Sequence, residues 1–315
     1  MRVVIVGAGL SGLTAAHELT KQGHSVVVFD KGRGVGGRLA TRRAGNATFD
    51  HGAQFFTVRS EEFRERVNEW IAAGVVREWC RGFDSEDGHP RYVGAQGMTS
   101  IAKHLARDLN VRTSSLVFSL VQNNTDWTVI TDDGEKHQAD AVLLTAPLPQ
   151  TFSLMFSANI EMPAEMRKID YQRTLGLLVT LVTPTHNIAP PGGMQNPDHV
   201  FSFIGDNSAK GICSATALTF HANADWSAKH FDLSTEEIGA ALLNAAQPWL
   251  NGALIAHREV KKWRFATPEN VWPEACWLHE SGSLAIAGDA FNGPKVEGAF
   301  LSGLAAATAL GNAGK

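Results

Sequence analysis

The opening of the chain sets the tightest limit on what it can fold into. Residues 2–6 (RVVIV) form a short unbroken apolar run, the pattern of a parallel strand buried on both faces. Gly7, Gly9 and Gly12 follow at the spacing G-x-G-x-x-G, and Leu13, Ala16 and Leu19 then recur at helical intervals until Gln22-Gly23. Residues 25–29 (SVVVF) make a second strand that closes on Asp30. Strand, glycine turn, helix, strand and acid within one short stretch define a βαβ unit of the dinucleotide-binding kind.

Each glycine has a physical task in such a unit. Gly7 is expected to make the tight turn, Gly9 to remove a Cβ that would block a pyrophosphate, and Gly12 to let helix and strand close up. Leu10 and Ser11 fall at the first turn of the helix, whose free N–H groups and positive dipole end suit phosphate. Asp30, 18 residues past Gly12, is placed to accept hydrogen bonds from a ribose hydroxyl. The fingerprint alone does not choose between NAD and FAD. The run that follows, Lys31-Gly32-Arg33-Gly34-Val35-Gly36-Gly37-Arg38, is a second glycine-rich loop carrying three cations. Two such loops suit a dinucleotide held along its length, with the Arg38 guanidinium reaching the pyrophosphate oxygens beside Gly37.

Further along, residues 61–73 and 99–107 read as helices, 82–91 as a polar loop, and 116–122 and 127–131 as strands about the Asn123-Asn124 turn. Residues 141–145 make another buried strand, ended by Ala146-Pro147. The middle changes character, with longer strands at 174–182, 200–204 and 212–218, a loop at 184–197 and a helix at 236–250. Residues 283–287 return to the short apolar strand, followed by Gly288-Asp289 and a small-residue helix over 299–310. The two ends therefore read as one domain with the middle inserted. The expected division is 1–58, 95–150 and 277–315 for the nucleotide domain, and 59–94 and 151–276 for a substrate domain.

The fingerprint, the acid Asp30 and the G-G-R of Gly36-Gly37-Arg38 together resemble the flavin-containing amine oxidase superfamily. The resemblance implies an α/β fold, a Rossmann-type FAD-binding domain with an inserted α+β substrate domain, and FAD contacts at Gly7, Gly9, Gly12, Asp30, Lys31, Arg33 and Arg38. Asp50-His51-Gly52-Ala53-Gln54-Phe55-Phe56-Thr57 is similar to the D-x-G-A-Q-x-F-T stretch of the renalase-like branch, which implies that Gly52, Ala53, Gln54 and Phe55 lie near the flavin ring. Gly97-Met98, Val117 beside the adenine, Ala146-Pro147 and Gly288-Asp289 fit the same FAD domain. Val296-Glu297-Gly298-Ala299-Phe300 resembles the branch's V-E-G-A segment, which implies a helix N-terminus aimed at flavin N1 and O2. Trp263-Arg264-Phe265-Ala266 resembles its W-x-x-A patch, and the resemblance places Gln54, Trp263 and Arg264 toward substrate.

Composition narrows the function classes. Net charge is −4, so the chain offers no field for gathering nucleic acid or anionic lipid. No apolar run approaches a membrane span, and the glycine spacing argues against reading the N-terminus as a secretion signal. Cys80, Cys213 and Cys276 are too few and too scattered for disulfides or a metal site, which points to a reducing, cytoplasmic location. The twelve His show no ligand spacing, and Ser11 does not sit in a G-x-S-x-G elbow. No cysteine lies in the setting amine oxidases use to tether flavin, so FAD is expected to be non-covalent. The resemblance implies oxidation of dihydronicotinamide isomers of NAD(P)H by hydride transfer, with O₂ as acceptor. Amine or small-metabolite oxidation in the same superfamily is the alternative, and a non-catalytic FAD-binding scaffold is the alternative of another class.

Overall fold

A computed structural model describes residues 1–124, 126–291 and 293–313. The chain divides into two compact units, Met1–Arg38 with Ile101–Asp170 and Pro268–Lys315, and Leu39–Ser100 with Tyr171–Thr267. This differs from the expected boundaries. Residues 39–58 and 95–100 belong to the second unit, and residues 151–170 and 268–276 to the first.

The first unit is built on a six-stranded sheet in the order Trp277–Leu278, Leu284–Ile286, Ala141–Leu144, Arg2–Val6, Ser25–Phe29, Asn110–Arg112. Its strands run parallel apart from the Trp277–Leu278 edge. Val3, Ile5, Val142 and Leu143 are buried, as strands covered on both faces must be. Helices Leu10–Lys21 and Val296–Ala313 pack against each other. A separate antiparallel meander, Val117–Gln122, Trp127–Thr131 and Lys136–Ala139, carries the helix Leu148–Ser157.

The second unit is a five-stranded sheet in the order Gly193–Gln195, Phe201–Asp206, Ala217–Ala222, Tyr171–Leu181, Ile255–Pro268. The period of two along each strand gives it two different faces. Leu175, Leu177, Val179 and Leu181 point one way and meet Ile238, Leu242, Ala246 and Leu250, spaced four apart on the helix Thr235–Leu250. That helix starts at a complete capping box between Ser234 and Glu237. Leu178 and Ala217 point the other way and pack on Ala47 and Phe49 of the hairpin Thr41–Ala44 and Ala47–Asp50.

The strand expected at 212–218 lies at Ala217–Ala222, because residues 207–216 are drawn into a turn around Asn207 and a buried lysine. The loop at 184–197 is tied down rather than loose. The Asn187 N–H donates to Trp249 O, Ile188 enters the core, and Gly193–Gln195 joins the sheet.

Candidate functional site

In the first unit the two glycine loops lie against each other. Gly9 and Gly36 form a parallel bridge, and the Gly36 N–H donates to Ala8 O at 2.8 Å. The closeness at Gly12 is what demands glycine, since a Cβ there would stand 2.0 Å from Gly7 O. Gly9 is different, because a Cβ there would meet nothing within 4 Å. The second glycine is thus not required by the protein's own packing, and it keeps a cradle clear that fits a phosphate. Beside it, Ser11 Oγ is buried and has no hydrogen-bond partner among the described residues. An orphan hydroxyl at the first turn of a helix fits the same group.

Asp30 ties the loops together, its Oδ2 accepting from Ala8 N at 2.7 Å and its Oδ1 from Gly32 N at 2.7 Å. Each oxygen keeps a lone pair for a ribose hydroxyl. Lys31 reaches Gln150 Oε1 at 2.9 Å, and Arg33 and Gly37 are exposed. Arg38 donates to Asp289 Oδ1 at 2.6 Å across 251 residues of sequence, so two expected cofactor positions meet directly. Burial pushes the Asp289 carboxyl pKa up, and the Arg38 charge pulls it back. Gly288 N–H donates to Ser302 Oγ, and Val296, Glu297, Gly298 and Ala299 open the long C-terminal helix. Val117 is buried at the start of the meander, and Ala146-Pro147 lead into the helix Leu148–Ser157.

The second unit gathers a buried polar network on the sheet face that meets the hairpin. Asp50 Oδ1 accepts from Thr41 Oγ1 at 2.6 Å and from Met98 N at 2.8 Å, while Oδ2 faces Lys210 Nζ at 3.4 Å. Asp50 N donates to Asn207 Oδ1, and Asp50 O accepts from Thr219 Oγ1. The Met98 N–H therefore serves here as an anchor for Asp50, Met98 itself is a core residue, and Gly97 packs close by, since a Cβ there would stand 3.0 Å from Asp50 Oδ1. Gln54 donates to Asp50 O at 2.7 Å and to Gly52 O at 3.2 Å, and its Oε1 accepts from Lys210 at 3.1 Å. Its amide is thus held from both ends, by the 50–54 bend and by Lys210.

Next to this network the His51 ring stacks on Trp263 at 5.3 Å, and Trp263 Nε1 and His221 Nε2 both point at His51 O, at 2.7 and 3.1 Å. Burial lowers both histidine pKa values to about 4, helped at His51 by the Lys261 charge and opposed at His221 by that hydrogen bond to the His51 carbonyl. Arg264 is not part of this group. Strand alternation sends Lys261 and Trp263 to the hairpin face and Lys262 and Arg264 to the helix face, where Arg264 lies 5.9 Å from the Phe231 ring. This corrects the pairing of Trp263 with Arg264 as joint substrate contacts.

A nest of rings completes the cluster. Phe83 lies 5.3 Å from Phe55, 5.2 Å from Trp79 and 5.6 Å from Phe203, and Lys210 Nζ stands 5.1 Å from the Trp79 ring. Phe55, Trp79 and Phe83 are only half-buried. Lys210, Trp79, Phe83 and Phe203 carry no motif that sequence reasoning could have used. Among the described residues no group of His, Cys, Asp or Glu is set to hold a metal, and no helix is long and apolar enough to cross a membrane.

Residues 5–70 match the NAD(P)-binding Rossmann-like domain, and residues 73–311 match the flavin containing amine oxidoreductases. Mouse renalase is 31% identical over 167 residues, 49% of this chain and 49% of renalase. A 4,4'-diapophytoene desaturase of Staphylococcus aureus is 42% identical over 52 residues, 16% of this chain and 10% of the desaturase. The matched stretches thus span half or less of these relatives' length. A redesigned variant of putrescine oxidase superimposes with TM-score 0.74 at 16% identity, covering 98% of this chain and 99% of its own. The match over residues 73–311, more than half of the sequence, makes this chain a member of the flavin containing amine oxidoreductase family.

Proposed function

We propose that the protein holds FAD without a covalent bond and oxidises dihydronicotinamide isomers of NAD(P)H, with O₂ as acceptor and hydrogen peroxide as product. Bound FAD supplies a two-electron acceptor. Gly9, Ser11, Asp30, Arg38 and Asp289 are the residues of the first unit that would hold it. Burial raises the pKa of Cys80, Cys213 and Cys276, which keeps all three as thiols and disfavours a thioether tether.

The observation that carries the substrate reading is the state of the ionisable groups in the second unit's cluster. Lys210 is paired with Asp50, Glu259 with Lys261 and Arg42, and His51 and His221 are weak bases with pKa values of about 4. Such a surface can orient a ring and exclude water but offers no strong base. A donor that already carries a transferable hydride needs orientation and not proton abstraction. Trp263 and the half-buried rings are the surfaces that would orient it.

Amine oxidation is the second reading, favoured by the family's own description. Stopped-flow reduction of the holoprotein separates the two. Isomerised NAD(P)H should bleach the flavin quickly, with little dependence on pH between about 6 and 9. Efficient bleaching by benzylamine, with no response to the isomers, would reverse the order of the readings.

A further inference from the structure

Beside the ring nest, at the turn Lys210-Gly211, one cation has a buried nitrogen with no acceptor among the described residues. Lys210 faces Asp50, and Arg91, whose guanidinium lies 5.5 Å from the Phe83 ring, is paired with Asp87. Arg77 has no such partner among the described residues. Its single hydrogen bond is a stretched 3.5 Å contact from Nη1 to the Glu78 carbonyl, at the limit of what counts as one. Its Nη2 is buried without an acceptor, and a Cβ on Gly211 would stand 2.8 Å from it. Burial lowers the guanidinium's pKa and no carboxylate offsets it. The side chain is half-buried, and buried polar atoms in folded proteins are answered by a partner, whereas its Nη2 has none among the described residues.

The surroundings say what kind of partner fits. Arg77 stands two residues before Trp79 on the strand Val76–Cys80, and both reach the turn at Lys210-Gly211. The backbone at Gly193 packs flat against the nest, since a Cβ there would be 2.3 Å from Phe83 and 2.9 Å from Trp79. Trp79 is fixed in turn by its Nε1 bond to Pro191 O at 3.0 Å. Half-buried rings accept a planar ring by stacking. A rigid fork of N–H donors beside them accepts an oxyanion in bidentate fashion.

We propose that Arg77 recognises an anion at this site, taking the phosphate of a substrate whose planar ring lies against Phe55, Trp79 and Phe83. The identity of that substrate as a nicotinamide nucleotide rests on the reading in the preceding section. The anion requirement does not.

Calorimetric titration of the holoprotein with nicotinamide mononucleotide and with nicotinamide riboside tests it without turnover. The wild type should bind the mononucleotide about 10- to 100-fold more tightly. Arg77→Met should erase that preference at unchanged FAD content, and Arg77→Lys should keep part of it. Inorganic phosphate should compete with the mononucleotide and not with the riboside, a measurement that needs no variant. Equal binding of the two ligands by the wild type, or a preference that survives in Arg77→Met, overturns the assignment. If the phosphate preference holds while the dihydro forms fail to bleach the flavin, the reaction reading falls and the role of Arg77 stands.

Discussion

Lys210 Nζ stands 3.4 Å from Asp50 Oδ2, and neither side chain is reached by solvent. Burial lowers the lysine's pKa while the Asp50 carboxylate raises it again, so the lysine depends on that partner for its charge. Lys210→Met should therefore cost about 3–5 kcal/mol by leaving Asp50 buried and unpaired. Adding Asp50→Asn should recover much of the loss. Urea denaturation checks both. A single variant within about 1 kcal/mol of wild type would mean the pair contributes no more than a surface ion pair.

The glycine cradle gives a contrast between two neighbouring positions. Gly9→Val should leave the fold intact, because its Cβ enters open space, yet abolish FAD retention. Gly12→Ala should destabilise the protein by about 1–3 kcal/mol with or without FAD, because its Cβ collides with Gly7 O. Melting temperature and flavin content of the purified proteins separate the two effects. A Gly9→Val protein that stays yellow defeats the phosphate assignment.

Arg38 and Asp289 meet at 2.6 Å. Arg38→Ala should weaken FAD retention by on the order of 1.5–3 kcal/mol, the worth of one charged hydrogen-bond partner, without unfolding the chain. Dialysis followed by flavin absorbance measures it. Occupancy equal to wild type would remove Arg38 from the cofactor site.

The two neutral histidines predict an acid limit to stability. His51 and His221 have folded pKa values of about 4 against 6.5 unfolded. The unfolded chain takes up these protons as pH falls through 6.5, and the folded chain does not until about 4. Stability from this source is thus complete above about pH 6.5 and is lost between there and pH 4, on the order of 1–3 kcal/mol for each group. Denaturation midpoints should fall across that window, less steeply for His221→Gln. A midpoint as steep in that variant as in wild type would assign the acid loss to other groups.

The βαβ unit is readable in sequence because everything it needs is local: an apolar run, three glycines and an acid. The hairpin Thr41–Ala44 and Ala47–Asp50 is not, since its strands are four residues each and the first carries two arginines. Lys210 looks like an ordinary solvated lysine in a polar turn, and only the long-range approach of Asp50 and Gln54 buries it. Trp263 and Arg264 look like one patch because they are adjacent, and adjacency in a strand means opposite faces. What sequence leaves out is tertiary: which face each residue shows and which distant partner answers its charge.

The strand Ile255–Pro268 carries two sets of side chains that never meet. Val260, Lys262 and Arg264 belong to the helix-covered side and Glu259, Lys261 and Trp263 to the side of His51. Loss or gain of a single residue just before Val260 would exchange the two sets. Trp263 would then face Phe231, and a row of cations would enter the polar network in its place. Point changes along this strand are therefore a matter of degree, whereas a change in its length is a matter of parity, and natural variation in this segment should be rich in substitutions and empty of odd insertions.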